Sequence, residues 1–323
     1  MREAISYKSK HGVDPSTPLP EWLVGLELEM ENFPGQIDTH SFGGMLFTSD
    51  GSLRSSDIGY GTEAITKPIS IKYIRDFLHA FFTNYGVSET NYSERCSTHV
   101  HFNVQPLEYS AIASICLLYQ TVERLLFNYI GNDRDKNIFC VPWYQSNRSY
   151  HVVSELIKQN DNLVRNWQKY SALNLLPISS QGTIEFRHLH GTCDVNKILE
   201  WVSILAKMFE YAINHTLEDV RNDILNMNTV SNYYEWLDKV FGKYSNCLRV
   251  DGFEKALSVG VIDSKLMVME KKGFNYEQQM TEFFVQPSTA PGRELMQRLA
   301  LENVGLYSNA NIVLGEPVQE TSF

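Results

Sequence analysis

The sequence predicts an α+β chain, with a strand-rich first part and a helical appendix behind it. Two observations carry that prediction. Several short segments before residue 190 alternate apolar and polar residues, and a period of two gives a strand one apolar and one polar face. From about residue 216 a helical period takes over, and no strand with unusual polar residues follows. The chain accordingly divides into residues 1–215 and 216–323.

Residues 1–20 are polar and end in Pro18-Leu-Pro20, a lead-in loop. The strand at 22–31 follows, and Pro34-Gly35 closes it. Its alternation points Glu27, Glu29 and Glu31 to one face and Val24, Leu26, Leu28 and Met30 to the other. A helix would scatter the three acids, because a step of two residues turns it by about 200°. Glu is depleted in strands, so three in a row ask for a reason. Either the face is solvated, or it holds cations; Glu31 in particular reads either way.

A second strand, Met45-Leu-Phe47, lies between Gly43-Gly44 and the turn at Asp50-Gly51. Asp50 either orients a metal ligand or only makes its turn. The segment 62–66 reads as a third strand, stopped by Pro68. Ser70 can cap a helix with Ile71, Ile74, Phe77, Leu78 and Phe81 on one stripe and Gly86 as its stop. The segment 98–104 alternates again. His99, His101 and Asn103 share one face; Val100, Phe102 and Val104 share the other.

The apolar stretch 111–130 is interrupted by Gln120, Glu123 and Arg124, which makes it a buried helix and not a membrane span. Residues 132–147 are irregular, 149–158 are helical, and 170–175 form a further strand. The strand at 182–187 sets Glu185 and Arg187 on one face and Ile184 and Phe186 on the other. Asp194 caps a helix bearing Ile198, Trp201, Val202, Leu205 and Phe209. The appendix has helical segments at 217–227, 233–241, 253–259, 280–284 and 295–301, with a loop at 287–291.

The net charge of −10 argues against a general nucleic-acid binder. It leaves room for an anionic nucleotide held through metal ions, since each cation reverses the local sign. No signal peptide is visible in the first residues. The five cysteines, Cys96, Cys116, Cys140, Cys193 and Cys247, are scattered and contain no Cys-x-x-Cys pair. A reduced, cytoplasmic setting is expected.

Three strands thus share one design, an apolar face alternating with Glu, His, Asn or Arg. Glu27, Glu29, Glu63 and Glu185 would gather four negative charges. At an effective dielectric of 20, a carboxylate pair about 5 Å apart repels by roughly 3 kcal/mol. Hard divalent cations relieve such a face; Mg²⁺ prefers oxygen ligands, and Mn²⁺ accepts an imidazole more readily. No glycine-rich lysine loop for phosphate is present.

In order along the chain stand Gly25-Leu-Glu27-Leu-Glu29, Asp50-Gly-Ser-Leu53, Gly61-Thr-Glu63, Cys96-Ser-Thr-His99-Val-His101, Arg148-Ser-Tyr150, Tyr170-Ser-Ala-Leu-Asn174, Thr183-Ile-Glu185-Phe-Arg187 and Gly191-Thr192 with Trp201 beyond. This ordered set resembles the amidoligases of the superfamily of glutamine synthetase and glutamate–cysteine ligase, the carboxylate–amine ligases. The resemblance covers roughly residues 22–210. It implies a glutamine-synthetase-like antiparallel sheet with packed helices around an open, funnel-like site, in a catalytic domain over 1–215 followed by a helical region over 216–323.

It implies metal ligation by Glu27, Glu29, Glu63, His99, His101 and Glu185, with His99 or His101 as the matching histidine. It implies ATP and Mg²⁺ or Mn²⁺ as cofactors. Arg187, Glu63 and Arg148 take catalytic roles in it, and Lys169, Arg148 and Asn174 contact the nucleotide. The chain departs from the family's pattern at Ser97, where glycine is frequent.

The implied reaction activates a small-molecule or peptide carboxylate as an acyl phosphate, which an amine then displaces. A loop closing over the site would protect that intermediate, and 132–147 is the expected cover. Two alternatives remain open at this point. One is a zinc-dependent hydrolase built on His99, His101, Cys96 and His188 or His190, although His188 and His190 are more simply structural. The other is a non-enzymatic binding module on the same fold. The appendix reads as a homo-oligomer contact, a substrate cover or a partner surface.

Overall fold

A computed structural model describes residues 23–33, 45–55, 59–131, 133–145, 149–159 and 164–270. The lead-in loop, Pro34-Gly35, Gly43-Gly44, Arg148, the helices expected at 280–284 and 295–301 and the loop at 287–291 lie outside the described residues.

The chain is α+β. Seven strands form one antiparallel sheet: β1 (Leu23–Phe33), β2 (Leu46–Ser49), β3 (Tyr60–Ile65), β4 (Ile69–Ser70), β5 (Ser97–Asn103), β6 (Leu173–Asn174) and β7 (Thr183–His190). Their order across the sheet is β2-β3-β1-β5-β7-β6, and β4 pairs with the start of β1. Alternation in β1 does what the sequence implies: Val24, Leu26, Leu28 and Met30 are fully buried. β5 lies in the middle of the sheet, and every residue in it is buried.

Helices cover the apolar face. They include α1 (Ile71–Tyr85), α2 (Tyr109–Ile130), α3 (Ser149–Ile157) and α5 (Val195–Asn214); the short α4 (Pro177–Ser180) links β6 to β7 and borders the polar face instead. Phe102 of β5 stacks on Phe209 of α5 with ring centroids 4.4 Å apart, and Phe186 of β7 meets the same ring at 6.1 Å. Asp194 caps α5 through bonds from the backbone N–H groups of Asn196 and Lys197. Gly86 ends α1 with φ of 61°, a conformation glycine adopts without strain. Ser70 holds the N-cap position of α1, but its side chain makes no capping bond.

α6 (Leu217–Asn226), α7 (Val230–Phe241), α8 (Ser245–Leu248) and α9 (Phe253–Glu270) follow. The apolar pattern suggests a helix over 253–259, yet α9 runs to Glu270. The pattern breaks at Asp263, Ser264 and Lys265, and all three are buried with polar partners. Ser264 Oγ lies 2.8 Å from Thr121 Oγ1 of α2, Asp263 pairs with Arg124 at 3.9 Å, and Lys265 Nζ donates to the Met227 carbonyl at 2.8 Å. α2 and α9 approach so closely that a Cβ on Gly260 would stand 2.0 Å from the Thr121 carbonyl oxygen. α2 is the one helix among the described residues long and apolar enough to cross a membrane; most of it is buried inside the fold.

Two strands depart from the alternation. The strand expected at 170–175 shrinks to Leu173–Asn174. Ala172 turns its N–H to the Val141 carbonyl at 2.8 Å, and Asn174 Oδ1 accepts from the Leu176 N–H at 3.1 Å, starting the turn into α4. In β7 the register with β5 passes from Phe186↔Val100 to Leu189↔Thr98. Arg187 and His188 therefore face the single residue His99, which is a β-bulge.

Candidate active site

The polar residues lie on the sheet face away from α5. Their placement follows from register. Thr48 of β2 stands opposite Glu63 of β3, and Glu63 opposite Glu29 of β1. Two residues back along β1, Glu27 stands opposite His99 of β5. Two residues further along β5, His101 stands opposite Glu185 of β7, and Glu185 opposite Asn174 of β6. A diagonal polar stripe thus crosses all six strands of the main sheet path. It floors a cleft of about 380 Å³ whose rim includes Asp50, Arg95, Phe139, Lys169, Tyr170 and Arg187.

Contacts along the floor are short. His99 Nδ1 lies 3.1 Å from Glu27 Oε2 and 3.3 Å from Glu185 Oε1, and its Nε2 lies 3.6 Å from Glu29 Oε1. His101 Nδ1 bonds with Thr183 Oγ1 at 3.0 Å. Asn174 Nδ2 donates to Glu185 Oε2 at 2.7 Å, and Arg187 Nη1 donates to Glu185 Oε1. Arg187 Nε donates to the Phe139 carbonyl at 3.0 Å.

Three overlapping sets of ligand atoms each fall within 4.8 Å of one another: Glu27, His101 and Glu185; Glu27, Glu63 and His99; Glu29, Asp50 and Glu63. The Nε2 atoms of His99 and His101 are buried without a hydrogen-bond partner. His101 Nε2 comes to 3.1 Å from Glu27 Oε1, but the pair is too poorly aligned to share a proton. His99 Nδ1 does bond Glu27 Oε2, but two buried Nε2 atoms without a partner beside converging carboxylates suit a hard divalent cation that tolerates one imidazole.

Residues 48–209, half of the chain, match the protein-family model described as "Putative amidoligase enzyme". The chain belongs to the amidoligase family. No curated protein and no solved structure matches it. The matched segment starts at β2, so the acids of β1 lie outside it; register alone brings Glu27 and Glu29 into the same floor as Glu63 and Glu185.

The electrostatics of this amidoligase floor follow from crowding. Burial, then repulsion from Glu27 and Glu29, pushes the Glu63 carboxyl up to about 8. Burial works against ionising Glu27, but His101 and His99 outweigh it and hold the carboxyl well below its usual range. His101 is shifted up in return: burial opposes its charge, and Glu27 more than offsets burial. Arg187 is held charged, since Glu185 and Glu29 overcome its burial.

The expected residues divide as follows. Glu27, Glu29, Glu63, His99, His101, Glu185, Asn174, Lys169 and Arg187 all line the cleft. Lys169 stands exposed on the rim, beside the Tyr170 ring. Arg148 is outside the described residues. Both histidines join candidate ligand sets, so neither displaces the other. Asp50 fills both of its readings: its Oδ1 accepts from the Ser52 N–H at 2.7 Å, and it joins a ligand set. Glu31 shares the face of Glu27 and Glu29 but is taken up by the loop above it, where Oε1 accepts from the Arg54 N–H at 3.0 Å.

Cys96 and His188 do not join the site. Cys96 Sγ lies near Ser93 and Asn91, and among the described residues no cysteine enters a ligand set. His188 turns the other way and bonds the Tyr119 hydroxyl at 2.9 Å. Burial drops its pKa to about 3, so it stays neutral in the core. The segment expected as a cover is pinned where it is described: Arg134, Cys140 and Trp143 are buried, and Glu123 accepts from the N–H groups of Trp143 and Tyr144.

Arg95 and Phe139 stand in none of the motifs, and Tyr170 and Thr183 stand in them without an assigned role. The first two come from loops or turns without a periodic signal, and Tyr170 falls in the part of 170–175 that does not become strand. Thr183 does share the alternation of Glu185 and could have been read as its neighbour on the face.

Proposed function

We propose that this amidoligase-family protein joins a carboxylate to an amine with ATP as the activating substrate, in a Mg²⁺-dependent reaction. One observation carries the reading: four carboxylates and two imidazoles from four strands converge on one floor, and an arginine stands at its end. Three overlapping ligand sets fit more than one cation, and Arg187 adds a planar, permanently charged donor suited to a phosphate.

The sets Glu27–His101–Glu185, Glu27–Glu63–His99 and Glu29–Asp50–Glu63 would hold the cations. Divalent ions there supply neutralisation of phosphate charge. Asn174 and Arg187 orient Glu185, and Thr183 orients His101. Arg187 meets charge that develops on the transferred phosphoryl group. Lys169 on the rim and Arg148 are placed in the same proposal as further phosphate contacts.

The substrate carboxylate forms a bond to the γ-phosphorus as the bond to the bridging oxygen of ADP breaks. The amine nitrogen then bonds to the acyl carbon, phosphate departs with its electron pair, and the amine gives up a proton. Small-molecule and peptide substrates both suit an open cleft of this size.

ADP release measured with Mg-ATP across a panel of acids and amines tests the proposal. Turnover is expected only when both an acid and an amine are present. Arg187→Ala is expected to lower kcat by about 10²–10³-fold with the fold retained. Glu27→Gln, which removes a ligand shared by two sets, is expected to lose turnover and Mg²⁺ response together. Full turnover in either variant would remove the role assigned to that residue.

A further inference from the structure

We infer that Arg134 is a positioning residue: it holds the β7 bulge that aims Arg187 into the cleft. Arg134 is 1% exposed, yet no carboxylate pairs with it among the described residues. Its bonds go elsewhere. Nε donates to the His188 carbonyl at 3.0 Å, and Nη2 donates to the Arg187 carbonyl at 3.1 Å and to Ser97 Oγ.

The two carbonyls are those of the residue pair that faces His99 across the bulge. A bulge disrupts the ladder locally and re-aims a side chain, and the disrupted groups need another partner. A guanidinium fork reaches two carbonyls and a hydroxyl at once; a lysine ammonium lacks that fixed geometry. The hydroxyl belongs to Ser97, the position at which the chain departs from the pattern it otherwise resembles.

The same segment grips Arg187 a second time. Phe139, which follows Arg134 along it, offers the carbonyl that receives Arg187 Nε. The backbone of Arg187 is thus fixed by Arg134, and its side chain by Phe139 and Glu185. An unpaired guanidinium in a protein interior is costly, so its presence here asks for a reason beyond filling space. Holding Arg187 at the end of the carboxylate floor is that reason.

This inference rests on reading Arg187 as the group that meets the transferred phosphate, but its test does not need turnover. The side-chain Nε–H resonance of Arg187 can be followed by NMR in the full chain and assigned by its loss in Arg187→Lys. In Arg134→Met the resonance is expected to leave its position and exchange rapidly with solvent, while the other arginine resonances stay. Ser97→Ala is expected to move it in the same direction by less, Arg134→Lys to leave it displaced, and added guanidinium to restore it in Arg134→Ala.

With turnover established, kcat of Arg134→Met is expected to fall about 10²-fold with KM little changed, as for a misplaced catalytic group. An unmoved Arg187 resonance in folded Arg134→Met overturns the inference. Should that variant not fold, Ser97→Ala decides, and an unmoved resonance there overturns it equally. A wild-type protein without ADP release would sink the ligase reading alone; the resonance would still report on Arg134.

Discussion

Glu63 is the floor residue whose chemistry is most sensitive to conditions. It stands directly opposite Glu29, and like charges directly opposite across two strands are destabilising. Its carboxyl keeps a proton up to about 8, whereas an ordinary glutamate loses it near 4.5. Between those values the folded, metal-free chain binds more protons than the unfolded one, so this group's contribution to stability falls as pH rises through the window. Cations bound on the floor, as proposed, would relieve the repulsion. The rise in Tm on adding Mg²⁺ is therefore expected to be larger at pH 8 than at pH 6, and Glu63→Gln is expected to flatten that dependence. Thermal melts with and without MgCl₂ check it; a pH-independent shift would contradict it. The residues of the floor were legible in the sequence because a strict period of two leaves little choice of face. Parts of the rim were not: Arg95 and Phe139 reach the cleft by loop paths that no period encodes. Arg134 was illegible for a deeper reason, since its partners are main-chain carbonyls that a bulge sets free, and bulges leave no residue signature here.

Helix α9 shows where pattern reading stops short. Its second half buries Asp263, Ser264 and Lys265 together with Val261, Ile262, Leu266 and Met267, so the helix is buried all round there and shows no one-sided apolar stripe. Polar pairs with α2 and a glycine contact add to that apolar burial. Gly260→Ala would drive a methyl group into the Thr121 carbonyl, and the helices would have to part. Overpacking of this kind costs about 1–3 kcal/mol. A denaturant titration is expected to find a lowered midpoint with an unchanged slope. An unchanged midpoint would mean that the helices separate freely at this point. β6 teaches a related lesson: the period of 170–175 was correct for Leu173 and Asn174, but hydrogen bonds to Val141 and the turn at Asn174 claimed the rest.

Across the molecule, one continuous apolar core joins the sheet, α2, α5 and the described helices after 216. Leu257, Val261 and Met267 of α9 are fully or almost fully buried. A fragment ending at 215 would leave the face of α2 that α9 covers open to water. It is expected to lose cooperative thermal unfolding and to bind a hydrophobic dye, as chains lacking fixed packing do. A sharp, dye-free melt for that fragment would show that the first part stands alone. The sheet order has a consequence for assembly. The acids come from β1, β3 and β7, and β1 and β7 reach the same floor only after a chain excursion of well over a hundred residues has closed, late among folding events by the general cost of distant pairings. No partly zipped sheet owns the full ligand set. Uptake of the full set of proposed cations would then serve as a stopwatch for the final step of maturation: a newly made chain would complete its magnesium sites only when the last long-range strand pairing clicks shut.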